Sequence, residues 1–166
     1  VPEGTPDAYI LGLIQNEEVW PQIGIAGKLW ILKEYAKSKP EEVIRYLEES
    51  KVEYMNTDTE LGVHGLMAKT YQQLGRVRDA IDAYKTLIKH FAASDEAGEA
   101  AIMIGRLEIE EGNYKEAREE LEMILHRNEW RGQRHGDLVK SKSFQKRIAK
   151  MVGVENLENV EFIVGG

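Results

Sequence analysis

Residues 61–125 read LGVHGLMAKTYQQLGRVRDAIDAYKTLIKHFAASDEAGEAAIMIGRLEIEEGNYKEAREELEMIL, and in this stretch one pattern occurs twice. Setting Gly75 over Gly112 places Ala80 over Ala117, Tyr84 over Leu121, Leu87 over Ile124 and Ala68 over Gly105, all at an offset of 37 residues. Each copy alternates an apolar stripe of helical period with a glycine-marked turn, which predicts a pair of helices joined at that glycine. The small residues carry much of the prediction. Ala68 with Ala80, and Gly105 with Ala117, let two helix axes approach to the short end of the usual ~8 to 10 Å range. Units repeated at such a period stack on one another, because none buries its apolar face alone.

Carrying the offset upstream gives a third, more degenerate copy over 24–60. Ser38 takes the place of the turn glycine, Trp30 stands over Met67 and Ile104, Val43 over Ala80, and Leu47 over Tyr84. The resulting division is an N-terminal leader and short helix over 1–23, repeats over 24–60, 61–97 and 98–134, a basic capping helix over 135–153, and a tail or linker over 154–166. In the leader, Asp7 is expected to cap a short helix. Pro21 breaks the next one, since proline lacks the N–H and clashes with the preceding turn. Ser38-Lys39-Pro40-Glu41-Glu42 predicts another helix start, with proline and acids in the first turn. Thr57 or Thr59, Ser94 and Asn113 are the expected caps of later helices.

The residues Ala68, Tyr71, Gly75, Val77, Ala80 and Tyr84, with Gly105, Gly112, Tyr114, Ala117 and Leu121 in the next copy, resemble the tetratricopeptide repeat. That family has a period of about 34 residues with Trp, Leu, Gly, Tyr, Ala, Phe and Pro at fixed offsets. Here His64 and Ala101 stand where Trp would, Glu108 where Tyr would, and Ala92 and Glu129 where the closing Pro would. The longer period suggests a longer turn between hairpins. The junction from Phe91 to Ala100 is similar to that of bacterial envelope repeat proteins. The resemblance implies an all-α, right-handed superhelical solenoid of about three hairpins. It also implies a concave groove lined by the first helix of each hairpin, placing Lys28, Leu32, Tyr35, Lys69, Gln72, Arg106 and Ile109 against a partner protein or peptide. Lys69 and Arg106 share one row of that groove, suited to a carboxylate-bearing segment. Chaperone-binding members carry asparagines where Leu32, Lys69 and Arg106 stand.

The composition agrees with an interaction module. Apolar residues make up 42% of 166, enough for a continuous core. There is no cysteine, hence no disulfide framework and no thiolate chemistry, which fits any compartment and selects none. No apolar run approaches the roughly 18 residues of a membrane span. The chain begins at Val1 rather than Met, which suggests processing or excision from a longer protein. The four histidines, His64, His90, His126 and His135, include no pair at the i, i+4 spacing of a zincin, and no phosphate-binding glycine loop or activated nucleophile is legible. His64 is expected in the core. No cofactor or metal is called for, and catalysis is not expected.

The formal charge of −7 is uneven. Residues 126–150 hold eight basic side chains, among them Arg127, Arg131, Arg134, Lys142, Lys146 and Arg147, against Glu129 and Asp137. The net negative charge argues against general nucleic-acid binding, and the basic patch lacks aromatic platforms for single strands apart from Trp130 and Phe144. The patch suits a capping helix with a Lys/Arg-rich outer face, contact with an anionic membrane surface, or head-to-tail assembly of copies. Three functional readings therefore stand: an interaction scaffold, a self-assembling subunit using its basic end, and an accessory domain of an envelope protein. The alternating Val160–Val164 suggests a tail, a strand that adds to a partner, or the start of a further domain.

Overall fold

The computed structural model describes residues 4, 6–113 and 115–120. The described part is all helical, with no strand among the described residues. The chain divides into two compact units, Val1–Ala83 and Tyr84–Gly166. The expected basic patch Arg127, Arg131, Arg134, Lys142, Lys146 and Arg147, the packing residue Leu121, the capping helix and the tail lie outside the described residues.

The first unit holds α1 (Pro6–Gln15), a 3-10 turn at Trp20–Gln22, α2 (Ile25–Ala36), α3 (Pro40–Ser50), a second 3-10 turn at Lys51–Tyr54, and α4 (Glu60–Gln73). Helix α5 (Val77–His90) begins in this unit and ends in the next. Helix α3 packs on both α2 and α4, α2 touches α4, and α1 lies on α2. The periodicity of α3 explains its place. Val43, Ile44 and Leu47 fall on one side and are buried, while Glu41, Arg45 and Glu49 fall on the other and are exposed. Pro40 occupies the first turn of α3, as the sequence predicts, with Glu41 and Glu42 at the positive end of the helix dipole. Asp7 does not cap α1. It lies within the first turn and accepts a hydrogen bond from Ser38 Oγ at 2.7 Å, tying α1 to the α2–α3 turn.

The turns after α4 and α6 are built alike. Gly75 adopts φ 74° and Gly112 φ 79°, the left-handed conformation that costs a residue with a Cβ but not glycine. The Arg76 amide donates to Tyr71 O at 2.9 Å, and its counterpart Asn113 to Glu108 O at 2.7 Å. These bonds satisfy carbonyls that the helix end leaves open. The α2–α3 turn differs. Ser38 keeps a negative φ, and Lys39 donates to Tyr35 O at 2.8 Å. The donors Lys39 and Arg76 are 37 residues apart but the acceptors Tyr35 and Tyr71 only 36, so α2 is slipped by one residue, about 100° of helical rotation.

That slip corrects the first copy. Lys28, Leu32 and Tyr35, expected in an open groove, are buried. The exposed counterpart of Lys69 on α2 is Lys33 instead. Trp30 departs from the register in another way. It is 65% exposed, whereas Leu66 and Met67, its equivalents in either register, are buried, because no described element covers that side of α2.

In the second unit, Ser94 caps α6 (Asp95–Glu110), its side chain accepting from the Ala97 amide at 3.2 Å as expected. Ala97, Ala100, Ala101, Ile104, Gly105 and Leu107 are buried along α6, and residues 115–120 are helical with Ala117 buried. At the start of α4 the capping differs from expectation. Thr59 occupies the cap position without a side-chain cap bond, while Thr57 Oγ1 donates to Tyr54 O and accepts from the Thr59 amide.

Candidate protein-interaction surface

Helix α4 places the residues singled out by the sequence on two distinct sides. Val63, His64, Leu66, Met67, Ala68, Thr70 and Tyr71 are buried, so its inner side is a packing surface. Its other side carries Gly62, Gly65, Lys69, Gln72 and Gln73, half-buried or exposed. Gly62 and Gly65 differ in what lies beyond them. A Cβ on Gly62 would stand 2.7 Å from Leu29 Cδ2, so the missing side chain is what lets α4 approach α2; a Cβ on Gly65 meets nothing within 4 Å. Lys69, one turn after Gly65, is exposed and makes no ion pair among the described residues. A cation without a partner beside open backbone is suited to a carboxylate from another molecule.

On α6, considered by itself, Arg106 is exposed and Ile102 and Ile109 are half-buried. Among the described residues the guanidinium of Arg106 has only a long contact of 3.9 Å to Met103 Sδ. The sequence therefore identified the exposed cations of α4 and α6, which the structure places on separate units. It did not identify what surrounds the first copy.

Around α2 the polar groups serve the core. Lys28 Nζ sits 5.4 Å above the Trp20 ring and 3.8 Å from a Glu53 carboxylate oxygen, so it packs along the 3-10 turns rather than facing a groove. Trp20 Nε1 donates to the Tyr46 hydroxyl at 2.7 Å, with the two rings edge to face at 83°. The Tyr35 hydroxyl donates to Glu42 Oε2 at 2.6 Å. Burial, with this carboxylate beside it, pushes the Tyr35 phenol up to about 12. Burial followed by the neighbouring Tyr46 raises Tyr54, and burial alone raises Tyr84 to about 12. His64 is buried as expected, its Nε2 3.5 Å from Glu60 Oε2, and Glu60 also accepts from the Asn56 amide at 2.9 Å. Asn56 takes φ 60°, a left-handed conformation that asparagine tolerates better than most residues. Arg76 closes the other end of the unit. It pairs with Asp79 at 2.9 Å and Glu48 at 3.3 Å and lies 4.7 Å from the Tyr71 ring centroid.

Among the described residues, no helix is long and apolar enough to cross a membrane. No curated protein and no solved structure matched the chain. Residues 66–94, from the middle of α4 to the cap of α6, match the family model for the tetratricopeptide repeat. The match covers the turn glycine Gly75 together with Ala68, Ala80 and Tyr84, the residues on which the repeat was read. Repeats of this kind are protein–protein interaction modules and typically non-catalytic scaffolds. Over residues 66–94 the helix–turn–helix is therefore similar to a tetratricopeptide repeat.

Proposed function

We propose that this chain is a non-catalytic scaffold that holds a peptide or partner protein on the outward faces of the first helices of its hairpins. In the first unit Lys69 and Gln72 on α4 are the residues that meet the partner; in the second, taken by itself, Arg106 and Ile109 on α6 offer a contact face of their own. The observation that carries the reading is the Lys69 face: an exposed cation with no ion pair among the described residues, one turn from a glycine with open space in front of it. Gly65 admits a partner backbone close to α4, and Lys69 supplies a charge-assisted bond to a carboxylate on it.

The test is capture of a partner with the wild-type chain, followed by titration of that purified partner against wild type and Lys69→Glu/Arg106→Glu. Both substitutions are at exposed positions, so helical content by circular dichroism should be unchanged. Reversing two contact charges is expected to weaken binding roughly tenfold or more. Equal affinities for the two proteins would remove these faces as the site.

A further inference from the structure

Helix α3 separates two grooves, and neither involves the Lys69 face. On the α1 side, a groove of about 470 Å3 is lined by the half-covered Leu11 and Ile14 of α1, with the buried Leu32 of α2 and Val43 of α3 beneath them. Its edge carries Glu41, Glu42 and Glu49, with Arg45 the only cation among its lining residues. On the other side, a groove of about 410 Å3 runs between α3 and the Leu74–Arg76 turn and shares Glu41, Arg45 and Glu49 with the first. The three shared residues recur every fourth position and form one exposed ridge.

The acids on and beside this ridge differ in their commitments. Glu42 accepts from Tyr35, and Glu48 is paired with Arg76. Glu41 and Glu49 make no hydrogen bond or ion pair among the described residues. Eight residues of helix separate them, about 12 Å along the axis. Helix α1 adds an independent feature. It has no buried residue at all, and Ile10, Leu11, Leu13 and Ile14 are only half covered, although an amphipathic helix normally buries its apolar stripe.

We propose that the α1–α3 groove is a second docking site, which takes a basic amphipathic helix from a partner protein. An aliphatic or aromatic side chain of that helix fills the apolar floor and completes the cover of α1. Lys or Arg residues about two turns apart reach Glu41 and Glu49. Charge complementarity selects this occupant: the rim holds three carboxylates against one guanidinium, which disfavours an acidic segment.

The probe is a synthetic amphipathic leucine–lysine helical peptide, titrated against the full chain at low and at physiological salt. Glu41→Gln/Glu49→Gln is compared with Glu96→Gln/Glu99→Gln, which removes the same charge from exposed positions on α6. The groove variant is expected to bind roughly three- to tenfold more weakly, from two exposed charge contacts, while the α6 variant and Lys69→Glu stay within about twofold of wild type on the same scale. Ile14→Gln, at a half-covered position, is expected to weaken binding with helical content retained. Equal losses in both double variants would show attraction to net charge alone and overturn the site, as would no loss in either. Salt-sensitive self-association of the protein alone, abolished by Glu41→Gln/Glu49→Gln, would make a second copy the occupant and overturn the foreign partner.

Discussion

Substituting alanine at Gly62 and at Gly65 separates packing from helix propensity within one helix. Both glycines lie inside α4 with negative φ, so alanine is conformationally acceptable at each. Glycine inside a helix costs about 0.5 to 1 kcal/mol relative to alanine. At Gly65 the new methyl meets nothing within 4 Å. Gly65→Ala is therefore expected to gain that full amount, a rise in Tm of about 1 to 4 °C for a chain of this size. At Gly62 the same gain is opposed by contact with Leu29 Cδ2 at 2.7 Å. The contacted atom ends a flexible side chain, but Leu29 is itself buried, and overpacking typically costs about 1 to 3 kcal/mol. The sum runs from near zero to a loss of about 2.5 kcal/mol. Urea unfolding of the two variants side by side measures the difference, and equal stabilisation of both would refute the close approach of α2 and α4. Gly65→Ala has a second readout. If a partner backbone lies against this position, the more stable variant binds that partner less well.

Leu47 is fully buried on α3, and Leu47→Ala should destabilise by about 2 to 5 kcal/mol through lost burial and the cavity left behind, visible as a lower urea midpoint with an unchanged slope. Gly75→Ala places a Cβ at φ 74° and should cost about 1 to 2 kcal/mol, lowering Tm even though nothing lies within 4 Å of the new methyl. Alkaline stability follows from the phenols. Tyr35 and Tyr84 titrate near 12 in the fold against 10.0 for an ordinary tyrosine, so the unfolded chain loses protons first. Stability is therefore fully present below about pH 10 and is lost as pH rises toward 12. Absorbance near 295 nm (a general tyrosinate band) should rise together with the loss of helical circular dichroism, and ionisation of all tyrosines near pH 10 with helicity intact would contradict this burial.

The two strong copies were legible because each level of their sequence agrees. Gly75 and Gly112 mark turns that need a left-handed residue, and Ser94 marks a cap. The first copy was misread in phase. With no glycine in its turn, Ser38 gave no anchor for the register, and a single-residue slip turns a helix by about 100°, enough to exchange Leu32 for Lys33 at the surface. Lys33 rather than Leu32 matches Lys69 in kind, which is the sequence mark of the slipped register. Asp7 shows another limit. A capping residue and a residue that bonds a distant turn look identical in sequence, and only the fold brings Ser38 to it.

The surfaces follow the same division. An exposed cation on an otherwise regular helix can be read from one helix at a time, and the exposure of Lys69 and Arg106 is of this kind. The α1–α3 groove could not be, because its floor is drawn from three helices and its rim from residues that read locally as a solvated face. Nothing in Glu41 or Glu49 alone sets them apart from other surface acids. What distinguishes them is that the fold places these uncommitted carboxylates along an apolar trough beside a helix with no buried residue. A sequence in which Leu11 and Ile14 were polar would keep the acids and lose the trough, and the peptide titration of Ile14→Gln asks whether the trough or the charge does the selecting.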